Sequence, residues 1–116
     1  MGLLSSLLEG ADERDLTKLD EYRAIGGYKP LAKARKLTPE ALIEEMSKAN
    51  LRGRGGAGFP IGRKASLIAR DSPKPKYVVV NADESEPGAF KDRQVMATVP
   101  HRLIEGALIA AHAIES

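Results

Sequence analysis

Lys76-Tyr-Val-Val-Val-Asn81 is the one stretch with a strong strand signature, being short, β-branched and continuously apolar. A strand buried on both faces of a parallel sheet reads this way, so the segment decides between an α/β chain and an all-helical one. Around it the sequence is helical. Thr38 is a good cap, Pro39 suits a first turn and Glu40 complements the helix dipole. Leu42, Met46 and Ala49 then form an apolar stripe with Ile43 beside it, and Asn50 ends the run. Arg63 to Arg70 predicts a further helix, broken by Asp71-Ser-Pro-Lys-Pro75. Phe90–Ala97 predicts another, and Pro100 opens a last helix with Leu103, Ile104, Leu108, Ile109 and Ala113 available for burial. The first 37 residues are helix-prone, with a short helix from Asp20 to Ile25 ending at Gly26-Gly27. Tyr22 and Tyr28 read as packing residues there. One strand cannot make a sheet. The expectation is therefore an α/β chain that forms the front of a larger protein, or one whose missing strands come from self-association.

Composition excludes several classes. The chain has 116 residues, one domain's worth, with 42% hydrophobic content. Its 18 Lys+Arg against 16 Asp+Glu give a net charge of +2, so nothing calls for a nucleic-acid partner or an anionic membrane surface. With no cysteine, it holds no disulfide, thiolate-bound zinc or iron–sulfur cluster of its own. No run approaches the roughly 18 apolar residues of a membrane span, so direct membrane insertion is not expected. The opening residues lack the basic flank and cleavage site of a signal peptide, and a soluble cytoplasmic protein is expected.

Upstream of the apolar segment, Arg52-Gly-Arg-Gly-Gly-Ala-Gly-Phe-Pro-Ile-Gly-Arg-Lys64 carries five glycines in thirteen residues. Such a loop lets several amides point at one anion, and Arg52, Arg54, Arg63 and Lys64 add positive potential. A phosphate or the negative edge of a flavin ring suits that place. Gly53, Gly55 and Gly58 satisfy the dinucleotide fingerprint G-x-G-x-x-G, yet that fingerprint follows a strand and this one follows a helix. The P-loop spacing fails, because Gly58 is followed by Phe59. An arginine–glycine RNA-binding segment and a plain tight connector are the other readings.

Downstream, Asn81-Ala-Asp-Glu-Ser-Glu-Pro-Gly88 follows the apolar segment directly, where α/β proteins place their ligands. Asn81 donates and accepts, while Asp83, Glu84 and Glu86 are acceptors suited to sugar or ribityl hydroxyls. Three carboxylates in four residues also suit magnesium or calcium, although the spacing is not an EF-hand loop. A solvated turn is the plain alternative. His101 and His112 read as surface or helix-packing residues.

Taken together, Leu51–Pro60, Asn81–Gly88, Phe-Lys-Asp-Arg at 90–93 and Pro-His-Arg-Leu-Ile-Glu-Gly at 100–106 resemble the FMN- and NADH-binding flavoprotein component of respiratory complex I. NAD-linked hydrogenases and formate dehydrogenases have related diaphorase subunits. The resemblance covers Leu37 to Ile114 strongly and the segment around Gly26-Gly27-Tyr28 more weakly.

The resemblance implies the N-terminal part of a Rossmann-like FMN-binding domain, mostly helices around at least one buried parallel strand. It divides the chain into a helical segment, 1–37, and the front part of an FMN/NADH-binding domain, 38–116. It places Gly53, Arg54, Gly55, Gly56 and Lys64 at FMN, with Asn81, Asp83, Glu84 and Ser85 lining the flavin cavity. Glu86 and Lys64 face the NADH side, with Glu86 nearest the nicotinamide, and Phe59 stacks on the adenine. The implied reaction takes hydride from NADH to FMN and passes electrons to an iron–sulfur cluster, with no catalytic side chain beyond the cofactor and no metal site here. The cluster-binding cysteines of that family lie beyond the residues of this chain. Partners are the other subunits of a complex I-like or diaphorase assembly, peripheral to the inner face of the membrane. The chain departs from the family pattern at Ile61, Ala65 and Leu67, where threonine, tryptophan and an aromatic are usual. Leu67 removes one stacking wall for the adenine, so the flavin positions match better than the NADH positions. A stand-alone binding or assembly module derived from that flavoprotein is the second reading.

Overall fold

Among the described residues, every named element is a helix. The computed structural model describes residues 7–53, 57–68 and 71–116. In chain order the helices are α1 (Leu19–Ala24), α2 (Lys29–Arg35), α3 (Pro39–Lys48), α4 (Ile61–Ser66), α5 (Lys91–Thr98) and α6 (Pro100–Ile114). No described helix is long and apolar enough to cross a membrane.

The buried parallel strand expected at 76–81 is not formed among the described residues. Among the described residues the β pairing is an isolated antiparallel bridge between Arg52 and Pro60, and 76–81 joins no ladder. Tyr77 is 76% exposed and Val79 is 83% exposed. The physical reason is that strand propensity measures how well a side chain fits a pleated, half-buried surface. With no second edge among the described residues to pair with, Val78, Val79 and Val80 have no such surface to fit.

The chain forms two units. One comprises Ala32–Val78 and Leu108–Ser116. Its core is built from Ala34, Leu42, Ile43, Ala65 and Ala113, with Leu37, Met46, Ile109 and Ile114 packed against them. α3 forms as expected. Thr38 Oγ1 accepts from the Ala41 amide at 3.1 Å, Pro39 takes the first helical position and Glu40 lies in the first turn. Its buried positions are Leu42 and Ile43, which bring α3 against α4. Thr38→Ala is expected to lower the unfolding free energy by about 1 kcal/mol, with Thr38→Ser close to the parent in urea titration. A loss within a few tenths for the alanine variant sinks the capping account.

α4 begins earlier than the sequence predicts, at Ile61 rather than Arg63. Pro60, at φ −61° and ψ 125°, is already set for entry to a helix, so the turn starts at once. It ends at Ser66, and the rest of the expected helix to Arg70 includes positions 69 and 70, outside the described residues. His112 is a packing residue, its Nε2 lying 2.9 Å from the Leu37 carbonyl.

The other unit comprises Met1–Leu31 and Val79–Ala107. Leu16 and Val99 are its fully buried side chains. α1 ends in a Schellman motif: Gly27 donates to the Tyr22 carbonyl, Gly26 donates to that of Arg23, and Gly26 sits at φ +97°. The chain then turns through Tyr28, itself left-handed at φ +66°, into α2. A buried carboxylate holds this turn. Glu105, 5% exposed, accepts from the Tyr28 amide at 3.1 Å, from the Leu31 amide at 3.0 Å and from the Tyr22 hydroxyl. Two of those donors belong to the start of α2, whose first turn has no acidic residue of its own. His101 Nδ1 lies 2.8 Å from the Tyr28 hydroxyl and its ring stacks on Tyr22, so it too is a packing residue.

Candidate functional site

The glycine loop is closed at its neck by the backbone. Gly53 donates to the Phe59 carbonyl at 2.8 Å and Ile61 to the Leu51 carbonyl at 3.0 Å. Arg52 Nη1 donates to the Gly58 carbonyl at 3.1 Å, so this guanidinium shapes the loop from outside. Gly58 takes φ +64°, which an L side chain enters only with strain. The result is a hollow of about 180 Å³ walled by Gly53, Ala57, Gly58, Phe59, Ile61 and Lys64. Arg54, Gly55 and Gly56 lie outside the described residues.

Three sequence-selected residues, Gly53, Phe59 and Lys64, therefore meet at one hollow. Its walls are mostly apolar, with one ammonium, as in many small-molecule sites. Small-molecule sites usually measure roughly 300–1,000 Å³, so this is room for part of a nucleotide cofactor. Of the three departures from the family pattern, one falls on it. Ile61 is part of the wall, Ala65 is buried in the core and Leu67 is 70% exposed.

The acidic loop belongs to the other unit. It opens with Asn81 Oδ1 accepting from the Asp83 amide at 3.1 Å, a turn that short polar side chains favour. Asp83, Ser85 and Glu86 are exposed, whereas Glu84 is half-buried. Glu84 directs its carboxylate at the start of α5, accepting from the Asp92 amide at 2.5 Å and the Arg93 amide at 3.1 Å. The loop closes with Ala89 donating to the Glu86 carbonyl at 3.2 Å. Just beyond, Lys91 Nζ pairs with Asp92 at 3.1 Å. That hydrogen bond and the Asp92 charge hold the ammonium above its usual pKa, with Glu84 and Glu86 adding to the effect. Among the described residues no group of three His, Asp or Glu side chains is placed to hold a metal ion.

The family model of the Nuo51 FMN-binding domain matches residues 46–116, which include both loops. The chain belongs to that family. It is 50% identical over 109 residues to an NADH-quinone oxidoreductase F subunit of Rhizobium meliloti (strain 1021), covering 93% of this chain and 26% of the relative. Against the NADH-quinone oxidoreductase F subunit of Aquifex aeolicus (strain VF5) it is 49% identical over 111 residues, 96% of this chain and 26% of the relative. Against that of Escherichia coli (strain K12) the identity is 45% over 107 residues, 90% of this chain and 24% of the relative. The chain thus spans about a quarter of the length of these oxidoreductase subunits.

Sequence reasoning missed Glu105. The available signal was a single acidic residue inside the apolar pattern Leu103-Ile-Glu-Gly-Ala-Leu-Ile109, which also fits a solvated helix face. It missed the second use of Glu84 for a different reason. Nothing in a run of carboxylates tells which one turns back onto its own backbone.

Proposed function

We infer that this chain is the FMN-binding part of an NADH dehydrogenase flavoprotein, and that the glycine hollow receives part of FMN. The observation that supports this is the meeting of Gly53, Phe59 and Lys64 at one hollow, inside the stretch that the family model matches. Gly53, Gly55 and Gly56 give the flavin close approach to the backbone, and Arg54 and Lys64 supply positive charge. Asn81, Asp83 and Ser85 offer acceptors and donors to ribityl hydroxyls. Glu86 lies toward the nicotinamide of NADH and Phe59 toward its adenine. Bound FMN supplies hydride acceptance and single-electron release, which no side chain here provides. The chain's own residues would hold and orient that group. The finer fold is a Rossmann-like α/β domain in which 76–81 pairs with strands contributed by other parts of the flavoprotein. The whole would work in a complex I-like or diaphorase assembly, on a peripheral arm at the cytoplasmic face.

Titration with FMN, followed by flavin absorbance and fluorescence, tests the reading. Binding in the micromolar range is expected, weakened about tenfold by Lys64→Ala through loss of one charge-assisted contact. Parent and variant binding FMN equally weakly would remove the hollow from the FMN site.

A further inference from the structure

We propose that Glu84 is a positioning residue, the latch that fastens the acidic loop to α5 and so aims Asp83, Ser85 and Glu86 outward. The role rests on the FMN reading for its consequence, though not for its geometry. Of the loop's carboxylates, Glu84 is the half-buried one, with Asp83 and Glu86 on either side of it exposed. Both of its oxygens are committed, Oε2 to the Asp92 amide and Oε1 to the Arg93 amide. Those amides belong to the first turn of α5, which leaves such donors unpaired within the helix. The residue just before α5, Phe90, offers no side-chain acceptor, and no side-chain cap is made there. Glu84 therefore does the capping from eight residues upstream of Asp92, and its negative charge also complements the helix dipole.

The backbone is bent to allow this. Glu84 takes φ +46°, the left-handed region, where a side chain other than glycine, asparagine or aspartate is uncommon. That turn separates its side-chain direction from those of its neighbours. A carboxylate that accepts one amide on each oxygen is held in place by its own backbone, with both oxygens turned toward α5. Its contribution to a ligand is then indirect: it fixes where the exposed Asp83, Ser85 and Glu86 stand. With the latch open, the loop keeps the same donors and acceptors but loses their arrangement, so affinity falls without loss of any contacting group.

Amide hydrogen exchange of the full chain, read by NMR without FMN, tests the latch by itself. In Glu84→Ala the Asp92 and Arg93 amides are expected to exchange about tenfold faster, the equivalent of one lost cap. Glu84→Gln, which keeps one acceptor of the same reach, should fall between. The Ala41 amide, capped by Thr38 in the other unit, is the internal reference and should not change. FMN titration of the same variants should show weaker binding in the same order, Ala more than Gln. Unchanged exchange at Asp92 and Arg93 in both variants overturns the latch. Unchanged exchange combined with lost FMN binding would make Glu84 a direct ligand instead. If the parent itself binds no FMN, the functional reading fails while the exchange result still decides the latch.

Discussion

Replacing Glu105 by Ala is expected to lower the unfolding free energy by about 3 kcal/mol, roughly 10–20 °C in Tm for a chain of this size. The carboxylate is 5% exposed and accepts from three donors, the Tyr22 hydroxyl and the amides of Tyr28 and Leu31. Removing it orphans all three, at about 1–3 kcal/mol for each that stays buried, and relaxation of the turn recovers part of that. Tyr28 adds to the loss. Its left-handed backbone costs about 1–2 kcal/mol and is held by the amide bond to Glu105. Glu105→Gln should recover only part of the loss, because its amide nitrogen would face a donor. Thermal unfolding followed by circular dichroism reads the effect, and a loss under about 0.5 kcal/mol for Glu105→Ala would show that the clamp contributes little.

The same cluster makes a prediction in pH. Burial first, then the hydrogen bond to Glu105 and its charge, push the Tyr22 hydroxyl well above the ordinary tyrosine value of about 10. Burial and the Glu105 charge also raise Tyr28. Below pH about 10 the hydroxyl is protonated in both folded and unfolded chains, and the stabilisation is whole. Above it the unfolded chain loses its proton first, so stability falls as pH rises toward the folded value. Tyr22→Phe should therefore be less stable than the parent at neutral pH and show a shallower alkaline decline. An equally steep decline in that variant would move the effect to other groups.

What could be read from sequence alone follows the range of the interactions. α3 was legible because its cap, first-turn proline and apolar stripe all lie within a dozen residues. The end of α1 was legible because Gly26-Gly27 carries its own stop signal. Glu105 was not, since its partners stand 74 to 83 residues away in sequence. The segment 76–81 shows the opposite limit. Its composition is that of a strand, but a ladder is a property of two segments, and propensity in one cannot supply the other. At the candidate site, residue types were legible while directions were not. Phe59 and Lys64 meet at one hollow, which residue types alone do not tell, and the turn of Glu84 onto α5 depends on a single left-handed φ.

Gly62→Ala carries the second large effect, a net loss of about 2 kcal/mol, even though helix propensity alone favours alanine over glycine by about 1 kcal/mol. Gly62 is buried in α4, and a Cβ there would stand 2.8 Å from the Ser47 backbone nitrogen and 3.0 Å from its Cα in α3. Backbone atoms cannot move aside by changing rotamer, so the two helices must separate. That puts the strain near the upper end of the 1–3 kcal/mol typical of overpacking, which outweighs the propensity gain. Two other glycines of the same motif act as controls because their reasons differ. Gly58→Ala meets nothing within 4 Å but must hold φ +64°, so about 1 kcal/mol is expected. Gly53→Ala meets the Phe59 carbonyl at 3.5 Å, an ordinary contact, and its φ is not in the left-handed region, so stability should barely change. Urea unfolding should rank the losses Gly62, Gly58, Gly53, and a Gly62→Ala chain as stable as the parent would refute the close approach. FMN affinity should rank differently. Gly53 lines the hollow directly, while Gly62 acts by holding α3 and α4, the helices on either side of the loop, at their present separation. Stability and binding therefore part company at Gly53, which separates a glycine present for the ligand from one present for the fold.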